Sequence, residues 1–213
     1  MYEFKDTTIR AYSGSNPLPV EALQINGEYI ENQITGYRTL YVTGRELLES
    51  DIAETQLGDS DGTEFQSKRN VPRTITVGYQ LLSDSPEEQR EKYNRLMDIL
   101  DQEQARLVFY DEPDKYFIGT KSDVGDVDSG KLNVTGEFSF YCCDPYKYSM
   151  TEKTFRAALN DEDVMETKII NEGTEECAVN YTITHNHENG FVGIASEYGA
   201  MQFGDIDELD TET

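Results

Sequence analysis

The sequence has no tryptophan, three cysteines, two histidines and only 18 lysine and arginine residues among 213. Three cysteines are too few for the disulfide framework of a small secreted domain. The 42 acidic residues bring the formal net charge to -24, which argues against specific nucleic-acid binding, because that depends on clustered basic side chains. No apolar run reaches membrane-spanning length and the N-terminus has no signal-peptide core. We therefore expect a protein that is folded in a cytoplasm and has no membrane contact.

Catalytic and metal-binding patterns are also missing. The sequence contains no nucleophile elbow, phosphate loop, dinucleotide fingerprint or zinc-finger spacing. His185 and His187 lie two residues apart, on one face of a strand, but no cysteine or paired-carboxylate motif accompanies them at a familiar spacing. We expect no enzymatic activity, no cofactor and no metal site.

The 14 tyrosines and nine phenylalanines favour strands and interfaces. The longest strand pattern is KLNVTGEFSFYCCDPYKY, from Lys131 to Tyr148, in which apolar and polar residues alternate. Cys142 lies on the apolar side and is expected in the core. Gly136 also lies on that side, which predicts a bulge or a closely packed backbone. Asp144-Pro145 ends the strand, since proline cannot donate to a ladder.

Other local patterns predict a sheet covered by one helix. Asn26-Gly27 predicts a tight hairpin, and Ile34–Leu48 and Arg73–Leu81 predict strands. In the first of these, Arg38 and Arg45 are expected in solvent. A helix over 86–102 begins with Ser85 as its N-cap and Pro86 at its first position. Its predicted buried stripe consists of Tyr93, Leu96, Met97 and Leu100.

Residues 49–70 predict a long hairpin with little apolar surface of its own. Two strand-like halves flank the turn Gly58-Asp59-Ser60-Asp61-Gly62. An isolated two-stranded hairpin is marginal in water, so this one should lie against its own domain or a neighbouring subunit. We favour the neighbour, because an extended arm with polar edges suits strand addition or a belt between subunits. The predicted subunit contacts are Ile52, Leu57, Asp61, Gly62 and Phe65.

The composition changes beyond Asp144-Pro145-Tyr146. Residues 161–213 contain 14 acidic residues and one basic residue, a net of -13. Strand patterns occur at Thr167–Ile170, Cys177–Thr184 and Gly190–Ala195. About sixty residues are few for a closed sandwich, which takes roughly 100. The sequence thus predicts a mainly β (α+β) protein: a β-sandwich-like N-terminal domain over 1–150, and a partial or atypical β domain over 151–213.

The order of motifs resembles the distal tail proteins of long-tailed siphophages. The residues that carry the resemblance are Val42-Thr43-Gly44-Arg45, the Asp61-Gly62 hairpin, Pro72 to Val77, the capped helix, Leu107-Val108-Phe109, Asp111 to Phe117, Gly136 to Phe140 and Cys143-Asp144-Pro145-Tyr146. The resemblance covers about residues 1–150. No single motif is specific, but their order and spacing together are.

The resemblance implies a structural protein of the virion tail. It implies a hexameric ring that joins the tail tube protein above to a tail-tip or tail-associated protein below, assembled in the host cytoplasm, with the hairpin as a belt over the next subunit. The family's C-terminal domain is a galectin-like β sandwich, for which residues 151–213 are too few. Six copies would carry 6 × -24 = -144 formal charges, and a lumen of that sign would let the genome pass without binding it.

A carbohydrate-binding module for host adsorption is the alternative. Sugar sites present aromatic platforms with convergent polar groups, and Tyr181, Phe191 and Tyr198 are the candidate contacts. The competing interpretation is that these aromatics are core or interface residues.

Overall fold

The computed structural model describes residues 18–128, 130–159, 164–184 and 190–204. The chain divides into two compact units, Met1–Lys153 and Thr154–Thr213. The predicted mainly β fold is confirmed.

The first unit holds ten strands and two helices in its described residues. In chain order these are β1 (Leu23–Ile25), β2 (Glu28–Tyr29), α1 (Ile30–Gln33), β3 (Tyr37–Thr43), β4 (Ser50–Thr55), β5 (Glu64–Asn70), β6 (Arg73–Leu82), α2 (Pro86–Leu100), β7 (Ala105–Phe109), β8 (Glu112–Val124), β9 (Asn133–Cys142) and β10 (Tyr148–Ser149).

Seven strands form one antiparallel path in the order β2-β1-β7-β8-β9-β6-β3, and β10 pairs with β8 beside it. The thirteen-residue strand β8 serves both halves of this path. Its middle pairs with β7, from Phe117 to Gly119, and its end pairs with β9, from Thr120 to Val124. One strand thus belongs to both halves, and buried residues of both halves form a single core.

Strand β9 supplies the centre of that core. It pairs with β6 over ten residues, from Arg73 opposite Cys142 to Leu82 opposite Asn133. Its apolar side chains are buried as the alternation predicts: Val134, Phe138, Phe140 and Cys142. Burial raises the pKa of the Cys142 thiol to about 11, so this cysteine is a core residue and not a reactive one.

The space beside Gly136 is filled by an aromatic ring. The sequence suggested a bulge or a second backbone, but the β6–β9 register runs through Gly136 without a shift. A Cβ at this position would come within 2.7 Å of the Tyr79 hydroxyl and 2.9 Å of its ring. That ring is fixed by Tyr37 and Phe138, with centroids 5.7 and 5.6 Å away. The side chain of Tyr79, opposite Gly136 on the neighbouring strand β6, therefore occupies the space that a larger residue would need.

Substituting Gly136→Val should lower the free energy of unfolding by about 1–3 kcal/mol, because the added methyl groups overpack the Tyr79 site. Urea titration of the parent and the variant measures this change. Thr135→Val is the matched control, because Thr135 is exposed on the opposite side of β9. Equal stability of the two variants would contradict the packing described here.

Two local predictions are confirmed and one is partly wrong. Asn26 and Gly27 have positive φ, 50° and 101°, in the tight turn between β1 and β2. At the start of α2, the Glu88 amide donates to the Ser85 hydroxyl at 3.1 Å. Met97, however, is exposed, and Ile99 packs with Leu96 and Leu100 in its place. Met97 and Ile99 are both apolar, so composition did not show which of the two side chains is buried.

The second unit has two short antiparallel pairs. They join β11 (Ala158–Leu159) to β12 (Met165–Glu166) and β13 (Phe191–Ser196) to β14 (Gly199–Gly204). The predicted strands Thr167–Ile170 and Cys177–Thr184 form no strand pairs. Within 164–184 and 190–204 no residue is buried. Apolar alternation marks a segment that can join a sheet, but these segments have no partner strand in the described residues.

Candidate assembly site

Strands β4 and β5 form an arm, defined as Ser50–Asn70, that is a two-stranded sheet by itself. Its large apolar side chains are exposed: Ile52 by 57%, Leu57 by 56% and Phe65 by 64%. Asp61 and Gly62 lie in the exposed turn at its tip, where Gly62 has a φ of 84°. The arm therefore presents apolar surface that its own strands do not cover.

A bulge puts two of these side chains on one face. Ile52 is opposite Lys68, but the register then shifts, so that Glu54 is opposite Phe65 and Gln66 is the extra residue. Side chains directly opposite each other point to the same face, and those two residues apart on a strand do so too. Ile52 and Phe65 thus share a face, which they would not do in a regular hairpin.

Side-chain hydrogen bonds hold the first and last residues of the arm and the chain segments that flank it. The Ser50 hydroxyl donates to Asn70 Oδ1 at 3.0 Å, and Asn70 Nδ2 donates to the Tyr146 hydroxyl at 3.0 Å. On the other side, Arg73 Nη1 donates to the carbonyls of Gly44 and Arg45 at 3.2 and 2.9 Å. The Asn70 end of the arm is therefore tied to Tyr146, and the chain segments before and after the arm are tied to each other through Arg73, whereas the strands of the arm are exposed.

A partly buried ion pair holds the segment between β3 and the arm. Arg45 donates to both carboxylate oxygens of Asp111, at 2.8 and 2.7 Å, and to Glu21 at 3.2 Å. The Arg45 and Asp111 side chains are only 12% and 11% exposed. The guanidinium also lies 4.2 Å from the centre of the Phe109 ring. Burial alone would lower the pKa of Arg45, but the bonds and charges of Asp111 and Glu21 outweigh it and raise that pKa.

The expectation that Arg45 lies in solvent was therefore wrong. Its partner Asp111 is 66 residues away in sequence, so no local pattern pairs them. The neighbouring Gly44 adopts a φ of 87°, and a Cβ there would come within 2.0 Å of the Thr74 carbonyl. The Gly44-Arg45 pair of the motif thus has a structural role: glycine lets the chain turn at the end of β3, and arginine fixes the turn.

The outward face of β3, β6 and β9 is a second candidate surface, rich in hydroxyl groups and nearly without charge. The register places on it Arg38, Tyr41, Thr43, Thr74, Thr76, Gln80, Thr135, Glu137, Ser139 and Tyr141. Arg38 is the only basic residue at these positions and Glu137 the only acidic one, and Tyr41 donates a hydrogen bond to Glu137. In a chain with a net charge of -24, this face is neutral.

The three aromatic residues predicted to contact glycans occupy separate places in the second unit. Phe191 begins β13 opposite Gly204, whereas Tyr198 lies in the turn that follows Ser196 and is exposed. These positions are at opposite ends of the hairpin, roughly 16 Å apart at about 3.3 Å per strand residue. Tyr181 is exposed in a segment without strand pairing. A glycan site formed by them stays a prediction.

His185 and His187 lie outside the described residues. In the part of the chain that the structure describes, no group of three or more metal-ligating side chains comes together. No helix of that part is both long enough and apolar enough to cross a membrane.

Comparison with known families places the chain among structural proteins of phage tails. The sequence profile of the phage tail protein RIFT-related domain matches residues 21–142. This range contains the sheet, the arm and the Arg45–Asp111 pair. The chain belongs to this family, and it is a structural component of a virion tail.

Among solved structures, the chain is similar to the Dit protein of phage SPP1, described as a paradigm of the hub adsorption apparatus in phages that infect Gram-positive bacteria. The TM-score is 0.54 at 20% sequence identity, and the match covers 61% of this chain and 52% of that one. The predicted resemblance to distal tail proteins is confirmed by the two comparisons together. No curated protein matches the chain.

Proposed function

We propose that this protein forms a ring-shaped hub of the tail and that the arm is the contact between successive subunits. The observation that carries the proposal is an apolar face, formed by Ile52 and Phe65, on an arm whose flanking chain segments are held together by Arg45 and Arg73. An arm with held flanking segments and an exposed apolar face suits a belt on a neighbouring copy. Little conformational freedom of the arm remains to be lost when it binds that copy.

The ring has six copies and joins the tail tube protein above to a tail-tip protein below. Multi-angle light scattering tests this for the purified chain, alone and mixed with the tail tube protein. Six copies of 24.3 kDa have a mass of about 146 kDa. The proposal predicts a particle of that mass in at least one of the two samples. A monomer in both would contradict it.

The neutral outward face of β3, β6 and β9 is proposed to line the channel through which the genome passes. Binding of DNA by proteins depends on lysine and arginine contacts to phosphate, and this face has one arginine. Its hydroxyl groups are hydrated and carry no charge that would retain the phosphates. The channel would therefore allow passage through lack of attraction, and not through the acidic lumen expected from the net charge, and the acidic charge of the chain would lie elsewhere.

Placing lysines on this face should slow genome release. The variant Thr74→Lys with Thr135→Lys adds two charges per subunit at exposed positions of β6 and β9. We expect at least a tenfold slower DNA release from assembled phage, and a smaller effect at higher salt. The control is Thr74→Gln with Thr135→Gln, which adds length without charge. Equal release rates for the two variants, in particles with intact rings, would contradict the channel assignment.

The chain acts without catalysis in this proposal. Its role is mechanical: a joint between two tail assemblies, with no specific nucleic-acid binding and no cofactor. The exposed apolar residues of the second unit, such as Ile170 and Val179, are available for contacts with other tail proteins.

A further inference from the structure

Strand β3 is an end strand of the sheet, and the outward backbone amides of its free edge already have acceptors. One of its edges pairs with β6, and no strand of the described residues pairs with the other. Amide groups of an antiparallel end strand point alternately to the partner and away from it. Such outward amides normally form a row of free donors, onto which a strand of another molecule can add.

Successive outward amides of β3 and the turn after it donate to oxygens of the same chain. The Tyr37 amide donates to the Ile34 carbonyl at 3.1 Å. The Thr39 amide donates to Glu31 Oε1 at 2.9 Å. Beyond the bulge between Thr39 and Tyr41, the Val42 amide donates to Glu21 Oε2 at 3.1 Å.

The Gly44 amide completes the series by donating to Glu46 Oε2 at 3.2 Å. Hydrogen bonds to carboxylates are stronger than those to neutral acceptors. The three glutamates come from three different segments: the residues before β1, the helix α1 and the turn after β3. Independent segments thus reach the same edge.

An arriving strand would have to displace these carboxylates. Its carbonyl oxygens are neutral acceptors, and they would replace charge-assisted bonds that are already in place. The displaced carboxylates would remain at the contact, beside a second copy that itself has a net charge of -24. Both effects disfavour edge-to-edge pairing of two copies at β3.

The arm differs in this respect. Among the described residues, β4 and β5 pair only with each other, so each has an edge with no partner strand. The outward amides of the seven-residue end strand β3 are therefore occupied, whereas each strand of the arm keeps an edge without a partner strand.

We propose that Glu21, Glu31 and Glu46 close the β3 edge against strand addition by a second copy of this chain. The closure keeps copies from pairing edge to edge through the main sheet, so that contacts between copies form elsewhere. This effect of the three glutamates does not depend on whether the arm joins copies into a ring.

The test variant is Glu31→Ala with Glu46→Ala. Glu21 is kept, because it also contacts Arg45. Hydrogen exchange of the Thr39 and Gly44 amides, measured by NMR, should become at least tenfold faster. Sedimentation velocity should show association that increases with protein concentration. The control variant, Glu91→Ala with Glu103→Ala, removes the same charge from exposed positions outside β3 and should behave like the parent.

A second variant separates hydrogen bonding from charge. In Glu31→Gln with Glu46→Gln, the amide oxygens can still accept from the two amides, so exchange at Thr39 and Gly44 should stay slow and the variant should associate less than the alanine variant. Parental exchange rates in the alanine variant, or equal association of the glutamine and alanine variants, would overturn the proposal. All measurements are repeated in a chain in which Asn-Gly replaces Ile52–Lys68 of the arm, so that association through the arm is recorded separately.

Discussion

A chain in which the arm is shortened should fold like the parent and fail to form rings. Ile52–Lys68 is replaced by Asn-Gly, which links Asp51 to Arg69. These two residues are paired in the register and joined by an ion pair of 2.9 Å, and Asn-Gly is the preferred two-residue hairpin turn. Because the arm shares no sheet with the core, the thermal unfolding midpoint should change by no more than about 2 °C, roughly 1 kcal/mol at this chain length. In contrast, the 146 kDa particle should be lost.

A point variant examines the same contact without altering the backbone. Ile52→Ser with Phe65→Ser removes the apolar face, and we expect the mass to fall to that of a monomer at concentrations where the parent is assembled. Fully burying two such side chains contributes about 1.5–3 kcal/mol each. Ala53→Ser, on the opposite face of β4, should leave assembly unchanged. Rings that persist in both the shortened and the serine variants would exclude the arm as the subunit contact.

The second large effect is expected at the partly buried ion pair of Arg45 and Asp111. Asp111→Ala leaves the Arg45 guanidinium mostly buried without its main partner. Removing one partner of a buried ion pair costs about 3–5 kcal/mol. At about 2–4 °C per kcal/mol for a chain of this length, the unfolding midpoint should fall by roughly 10 °C. Equilibrium unfolding in urea measures the free energy directly.

Asp114→Ala is the matched control for Asp111→Ala. Asp114 is 71% exposed and lies 3.3 Å from Lys115, and an exposed pair of this kind contributes about 0–1 kcal/mol. The double variant Arg45→Met with Asp111→Leu should recover much of the lost stability, since apolar residues of similar size can replace a buried pair. If the Asp111 and Asp114 variants were equally stable, the buried pair would have no special role.

Local features of the fold were predictable from the sequence because their causes are local. The Asn26-Gly27 turn, the Ser85 cap of α2 and the alternation in β9 each depend on residues within one or two turns or along one strand. The arm was predictable for the opposite reason: its strands have too few apolar residues to form a core. In each case the sequence pattern indicates the local structure that the segment itself favours.

Features that depend on distant residues were not predictable. Arg45 finds its partner Asp111, and Gly136 faces Tyr79, only after the sheet has formed. The glutamates at the β3 edge belong to separate segments, one of them the short helix α1 that the sequence did not indicate. In the second unit, alternation at Cys177–Thr184 did not lead to a strand, because pairing depends on a partner that a sequence pattern does not supply.

Averaged electron cryomicroscopy images of the tail end of the assembled phage test the central proposal most directly. It predicts a six-fold ring of this protein between tube and tip, with each arm lying on the next subunit, Ile52 and Phe65 facing that subunit, and the β3 edges unpaired. A tail end that contains this chain as a single copy, or as a ring whose arms point into solvent, would contradict the proposal.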